Sequence, residues 1–402
     1  MTREEVKDTC VKSIGKSAFL LLELPTGFGK SRLSIDLVNY LAATKYKGKQ
    51  VSMLLLVAKN VHKVTWKAEF EKWGGINVSS LIIECYESLK KYENTHFDII
   101  VMDEVHHVGS DLRLDILSTL DYGNIIGLSA TIPIKLKSYL QIEYHAKVIS
   151  CNIVEAIEDT VLPEPKIVLF PLQLNRINPT EVLEVNPKAK GKVYQGSYNE
   201  LWRYKRKNLH ALISCTQRQK VNEYNGSILR KKNLFLKTRQ EFLKTQWLME
   251  CGRRIEYLAN LKNDIVLNIL QKLRNSRTIT FCKTITQAEA VSKYCIHSKN
   301  KDSNTIYEQF NNREINHIAS VNILNENANL VDCKYAIFAN YSSSETIGPQ
   351  RIGRSLRHKS PVIILPYYEN TREQEIMENM IKDFNKEYIY TIHSVDELVK
   401  FM

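Results

Sequence analysis

The sequence predicts an α/β protein of two lobes in tandem, each built on a parallel sheet, with a basic, mainly helical insertion in the second lobe. Three observations carry that expectation. Apolar runs of strand length alternate with helical patterns from the start, and short buried strands separated by helices imply parallel sheets covered on both faces. The series then occurs a second time, beyond a hinge near Asp159–Pro165 (DTVLPEP). Finally, the surplus positive charge sits in one window of the second series.

In the first series Ala18–Glu23 (AFLLLE) reads as a buried strand, followed by a glycine-rich turn and a helix from Ser31 to about Leu41. Val51–Ala58 is a second strand and Val61–Trp73 a second helix, with further strands at Ser80–Cys85, Phe97–Met102 and Asn124–Leu128. The second series runs through Lys166–Leu172, Arg277–Cys282, His317–Val321, Tyr335–Ala339 and Pro361–Pro366. The lobes are expected at residues 1–160 and 161–402, with the insertion at about 180–262.

Composition sets the limits. The chain has 402 residues, 44% hydrophobic and 25% charged, which suits a globular protein and excludes disorder and collagen-like repeats. No stretch approaches the roughly 20 apolar residues a membrane span needs. The N-terminus MTREEVKDTC has no apolar core of a signal peptide, which argues against secretion. Eight cysteines form no CxxC pair, so reduced thiols in a cytoplasmic protein explain them best. Abundant Lys, Asn and Ile suggest an AT-rich genome, and with it a bacterial or phage-infected host cytoplasm.

The net charge is +12, yet Lys188–Lys262 alone holds 18 Lys and Arg against 5 Glu, a net of +13. Aromatics are interleaved with those charges: Tyr194, Tyr198, Trp202, Tyr204, Tyr224, Phe235, Phe242, Trp247 and Tyr257. Such a surface suits phosphate backbones and base stacking, although a charge run can equally be a solvated helical face.

Leu24–Ser31 reads LPTGFGKS between a strand and a helix. Gly27 and Gly29 let backbone N–H groups approach phosphates at a helix N-terminus; Lys30 would reach the β- and γ-phosphates and Ser31 would ligate Mg²⁺. Pro25, Thr26 and Phe28 complete the loop, and Leu24 stands where the general pattern has its first glycine. Phe97–His107 (FDIIVMDEVHH) ends a buried strand in two carboxylates. Asp103 is placed to hold Mg²⁺ and Glu104 to orient and activate water. In Gln350–Arg357 (QRIGRSLR), Arg354 and Arg357 lie three apart on one helix face. As arginine fingers on the γ-phosphate they would be worth about 10³–10⁵ in rate and would require the lobes to close over the nucleotide.

These blocks, in this order, resemble the superfamily-2 helicases and translocases, whose fold is two RecA-like lobes. LPTGFGKS resembles motif I, DEVH (Asp103–His106) the DExH form of motif II, SAT (Ser129–Thr131) motif III and QRIGRSLR motif VI. Leu54–Trp73, Cys85–Leu89, Thr278–Glu289 and Val321–Leu330 are similar to motifs Ia, Ib, IV and V. The resemblance implies ATP and Mg²⁺ as cofactors and a catalytic set of Glu104, Gln350, Arg354 and Arg357. It further implies coupling of hydrolysis to lobe movement by His106, Ser129 and Thr131. A nucleic-acid track would touch Lys59, Asn60, Ser88, Lys283, Thr284 and Asn325, where hydroxyls and amides also commonly cap helices. No Gln precedes Gln50, so the glutamine that reads adenine in many relatives is missing. Together with DEVH, this argues against the DEAD-box branch.

The expected activity is therefore an ATP-dependent DNA helicase or translocase, with DNA ahead of RNA as partner. A protein partner in a replication, recombination or repair complex is also expected, and no membrane. A duplex translocase that does not unwind, an RNA helicase and an ATP-gated binding subunit are the alternatives.

Overall fold

The structure, a computed structural model, describes residues 1–47, 50–74, 78–321, 330–341, 352–353, 356 and 358–402. Asn325, Gln350, Arg354 and Arg357 lie outside the described residues. The first lobe runs α1 (Arg3–Ile14), β1 (Phe19–Glu23), α2 (Lys30–Thr44), β2 (Val51–Val57), α3 (Asn60–Trp73), β3 (Val78–Cys85), β4 (His96–Asp103), α4 (Asp111–Thr119), β5 (Asp121–Ser129), α5 (Ile134–Glu143), β6 (Lys147–Ser150) and α6 (Ile153–Glu158). Its six strands pair in parallel in the order β3-β2-β4-β5-β1-β6.

The strand sequences explain why both faces must be covered. Side chains alternate between the faces of a strand. In β1, Leu20 and Leu22 enter one hydrophobic cluster while Phe19 and Leu21 enter the other. Met53 and Leu55 of β2 against Leu54 and Leu56, and Ile99 and Val101 of β4 against Ile100 and Met102, divide in the same way. Each such fully buried side chain contributes about 1.5–3 kcal/mol, so a run like FLLL is stable only between two layers of helices.

The second lobe opens with β7 (Lys166–Leu172) and then departs into the insertion: β8 (Glu181–Val185), β9 (Tyr194–Ser197), α7 (Leu201–Arg206), β10 (Ala211–Cys215), α8 (Gln217–Thr238) and α9 (Glu241–Asn260). It resumes with α10 (Asn263–Lys272), β11 (Thr278–Phe281), α11 (Ile285–Val291), β12 (Cys295–Ile296), α12 (Ser303–Asn311), β13 (His317–Ser320), β14 (Tyr335–Phe338), β15 (Val362–Tyr368), α13 (Arg372–Ile381) and β16 (Ile389–Thr391). The second sheet is also parallel, ordered β12-β13-β11-β14-β15-β7-β16. No helix among the described residues is long and apolar enough to cross a membrane.

The insertion is mainly helical, but it also holds a three-stranded sheet, β8-β10-β9, that the sequence pattern did not reveal. Its core is small: Val185, Leu201, Tyr204, Ala211 and Ile213. α8 and α9 form an antiparallel hairpin clasped by the stacked rings of Phe235 and Trp247, 6.1 Å apart. Of the aromatics in the basic window, Tyr204 is buried, whereas Trp202 (64% exposed) and Phe242 (69%) turn outward.

One charge of that window is not on the surface. Lys262, where α9 meets α10, is fully buried, its ammonium 2.6 Å from Glu373 of α13 and 4.9 Å from the ring centre of Tyr341. Desolvation pulls its pKa down and Glu373 opposes that pull. Breaking a buried pair from one side costs about 3–5 kcal/mol, because it strands a charge. Glu373→Gln is expected to lower stability by about that much in urea titration, and Lys262→Met with Glu373→Leu to restore most of it. A wild-type midpoint for Glu373→Gln would show that the pair is solvated.

Candidate active site

β5 lies between β1 and β4, and their register sets the carboxyl ends level: Glu23 pairs with Ser129, and Asp103 with Leu128. The Leu24 amide donates to the Ser129 carbonyl at 3.0 Å as the chain leaves β1. Ligands of open parallel sheets bind outside the carboxyl edge. Three of the sequence-predicted blocks emerge there side by side.

The loop after β1 folds tightly, with the Phe28 amide donating to the Pro25 carbonyl at 3.2 Å and with Gly27 and Gly29 at φ +95° and +101°. L side chains rarely adopt such angles. Gly29 is also the N-cap of α2 and brings no side chain to cap it, so the helix presents its amides and positive end to an anion. Lys30 Nζ donates to the Leu24 carbonyl at 3.0 Å, which arches the ammonium back over the loop. A cavity of about 460 Å³ opens here, lined by Thr26–Ser31 together with Trp66, Trp73 and Glu104. Arg3 of α1, which sequence reasoning missed, braces the same loop by donating to the carbonyls of Phe28 (3.0 Å) and Gly27 (3.4 Å).

Asp103 ends β4 and is 5% exposed. Its Oδ2 accepts the Trp66 indole N–H at 2.7 Å, and its carbonyl accepts the Tyr86 hydroxyl at 2.9 Å. Burial first, then Asp103 and Glu104, hold the Tyr86 phenol well above its ordinary pKa, so it remains a donor. Glu104 follows in a left-handed conformation, φ +51°, a strain of order 1–3 kcal/mol for a residue with a side chain. That turn takes its carboxylate off the strand and into the cavity wall. Gly127 of β5 makes room for it: a Cβ there would stand 2.8 Å from Leu21 and 3.1 Å from Val105.

Ser129, fully buried, joins the acids to the third block. Its Oγ lies 3.2 Å from Glu104 Oε2, 3.1 Å from His106 Nδ1 and 2.8 Å from the Thr131 carbonyl. A hydroxyl has one proton, so it donates to one acceptor at a time, and a shift of partner at one corner changes the other two.

The second lobe reaches this loop through Gly353. A Cβ at that position would stand 2.8 Å from Thr26 Cβ and 3.0 Å from its carbonyl oxygen, so only glycine fits there against the phosphate loop. The remaining candidates sit at carboxyl ends of strands: Lys59 and Asn60 after β2, Ser88 after β3, Lys283 and Thr284 after β11. Lys59 and Lys283 are exposed. Thr284 caps α11 by accepting the Gln287 amide at 3.1 Å, and Asn60 Oδ1 accepts from Cys85 Sγ at 3.3 Å, so both have structural partners.

The residues fit a nucleoside triphosphate with Mg²⁺. Two glycines in positive φ, a lysine and a helix start suit phosphates, and a hydroxyl with a carboxylate suits Mg²⁺, which is usually held by one or two protein ligands plus phosphate. Among the described residues no group of three or more His, Cys, Asp or Glu side chains could hold a metal by itself.

Residues 3–134 match the family described as type III restriction enzyme, res subunit, and residues 261–359 the helicase conserved C-terminal domain. No curated protein matches the chain. Of solved structures, a variant of S. cerevisiae Dbp5 bound to RNA and ADP BeF3 is similar at TM-score 0.59 and 10% identity, over 99% of this chain and 92% of that one. Dbp5 itself with the same ligands gives 0.57 and 11%, over 98% and 91%. The Pyrococcus furiosus Hef helicase domain gives 0.50 and 14%, over 94% and 97%. At such identities these likenesses speak for the fold. With one family match in each lobe and the insertion between them, the chain belongs to the superfamily-2 helicases, built on two RecA-like lobes.

Proposed function

We propose that the chain is a DExH-type, nucleic-acid-stimulated ATPase that hydrolyses ATP between its lobes to move along DNA and to unwind or remodel it. The observation that carries this reading is the meeting of Lys30, Ser31 and Glu104 on one cavity, with Asp103 next to Glu104, Ser129 hydrogen-bonded behind it and Gly353 of the other lobe packed on its loop. The glycine loop from Pro25 to Gly29 and Lys30 bind the phosphates, while Ser31 and Asp103 hold Mg²⁺. When bound, the metal neutralises charge on the β- and γ-phosphate oxygens. Glu104 orients the attacking water and takes its proton. Gln350, Arg354 and Arg357 approach from the second lobe, where the arginines offset charge on the γ-phosphate. Ser129 with His106 and Thr131 registers the state of Glu104, since its single proton is shared among them.

The insertion is the nucleic-acid grip or wedge. Arg230, Lys232, Lys237 and Arg239 are exposed along the α8–α9 hairpin, and Phe242 near its turn is 69% exposed. Lys59, Asn60, Ser88, Lys283, Thr284 and Asn325 line the track across the lobes. DNA is favoured over RNA by the departure from the DEAD pattern. A partner protein in replication, recombination or repair and a cytoplasmic site of action go with this reading.

Two outcomes test it. Lys30→Ala should abolish ATP hydrolysis, and Glu104→Gln should lower it by about 10²–10⁴ while nucleotide binding persists. Rates measured with single-stranded, duplex and branched DNA, and with RNA, should rise most with DNA. Hydrolysis that survives Lys30→Ala, or that ignores every nucleic acid, breaks the proposal, and selective stimulation by RNA moves it to the RNA helicases. Separately, replacing residues 181–256 by a short linker keeps the buried Lys262. It should weaken DNA binding and lower the slope of log affinity against log salt by about one for each phosphate the hairpin neutralises. An unchanged slope would show that the hairpin does not touch DNA.

A further inference from the structure

A buried indole N–H has to find an acceptor, and that need alone explains one hydrogen bond from Trp66. The choice of acceptor is more informative. Trp66 is 3% exposed and donates to the carboxylate of Asp103, while Tyr86, 2% exposed, donates to the carbonyl of the same residue. The two donors come from the segments that follow two different strands, β2 and β3. Trp66 lies in α3 about 9 Å along the axis from Asn60, the first residue of that helix, with Lys59 as N-cap. Tyr86 directly follows β3, two residues before Ser88. A third bond ties the segments together, from Cys85 Sγ to Asn60 Oδ1 at 3.3 Å.

The first-lobe residues assigned to the nucleic-acid track thus belong to the two segments that hold Asp103. An indole N–H only donates and does not titrate at ordinary pH, so it fixes the plane of the carboxylate in one sense. A phenol held to the backbone carbonyl fixes the point from which that carboxylate projects. Outer-shell hydrogen bonds of this kind set the affinity of a metal site, and losing one commonly costs 10–100-fold.

We propose that Trp66 and Tyr86 are positioning residues that clamp Asp103 from the two segments bearing Lys59, Asn60 and Ser88, so that nucleic acid on those segments tightens the hold on Mg²⁺-nucleotide. The proposal rests on the reading of Asp103 as a metal-holding carboxylate and of those segments as part of the track. Trp66 also lines the cavity, but its N–H is given to Asp103, and the Tyr86 hydroxyl to the Asp103 carbonyl, so the polar atom of each acts through Asp103.

The test is calorimetric binding of ADP to the full chain, with and without Mg²⁺, and with and without a single-stranded DNA oligonucleotide. Wild type, Trp66→Phe, Tyr86→Phe and Asp103→Asn are compared. Tyr86→Phe loses only the donor, whereas Trp66→Phe keeps a buried ring but loses the donor together with part of the indole, so Tyr86→Phe is the stricter variant, and if one fails to fold the other decides. The expected result is a Mg²⁺-dependent gain in ADP affinity that falls about tenfold in either phenylalanine variant. Affinity without Mg²⁺ stays within about twofold, and the extra gain on adding DNA is lost. A Mg²⁺ gain and a DNA gain equal to wild type in the folded variants overturn the proposal. A wild type with no Mg²⁺ gain, or one that Asp103→Asn leaves intact, overturns the assignment of the metal site itself and separates that failure from this one.

Discussion

The alignment of β5 between β1 and β4 is the constraint on which the site depends. Pairing Glu23 with Ser129 and Asp103 with Leu128 brings the phosphate loop, the acid pair and the Ser129 hydroxyl to one level of the sheet. Side chains alternate along a strand, so a slip of one residue would send Ser129 to the far face and Asp103 away from its indole partner. The register is held by burial: Leu20, Leu22, Ile126 and Leu128 belong to one cluster, and Phe19, Leu21 and Ile125 to the other. Packing in two layers of helices thereby positions groups that make no apolar contact themselves.

The same apolar cluster runs on into the second lobe. Leu24 and Phe28 of the phosphate loop share it with Ile352 and Leu356, which flank Gly353. The loop is therefore braced from three directions: Arg3 holds its carbonyls, the Ser129 carbonyl accepts from its start, and Gly353 lies on Thr26. Such a loop reports on its neighbours, because its backbone cannot move without disturbing one of them.

Much of this was legible in the sequence, for identifiable reasons. Strands buried on both faces have to be nearly continuous apolar runs, so β1, β2, β4, β7 and β15 stand out, whereas β6, β12 and β16 are too short to do so. β10 alternates buried and exposed residues over a core of only a few side chains, which hid the sheet of the insertion. The phosphate loop and DEVH were legible because glycines, a lysine and adjacent acids at strand ends have few other uses. Trp66 and Tyr86 were not, since a buried aromatic reads as core and nothing along the chain tells which acceptor its polar atom will meet. Lys262 was misleading for the converse reason: a lysine in a basic run counts as surface until Glu373, far along the chain, proves to be its partner.

The insertion leaves and rejoins its lobe at one place. Leu172, at the end of β7, accepts the Glu369 amide, and Leu261, just after α9, accepts the Tyr368 hydroxyl at 3.1 Å. Leu174, Val221 and Leu258 close over Tyr368 in a small cluster. Both ends are thus moored at the carboxyl end of β15, and what lies between carries its own core. A segment spliced in this manner is an exchangeable cassette. Its outer part can lengthen or shorten without disturbing the pairing of β7 with β15, provided Val221 and Leu258 still close over Tyr368, so this part of the chain can change while the sheet stays the same.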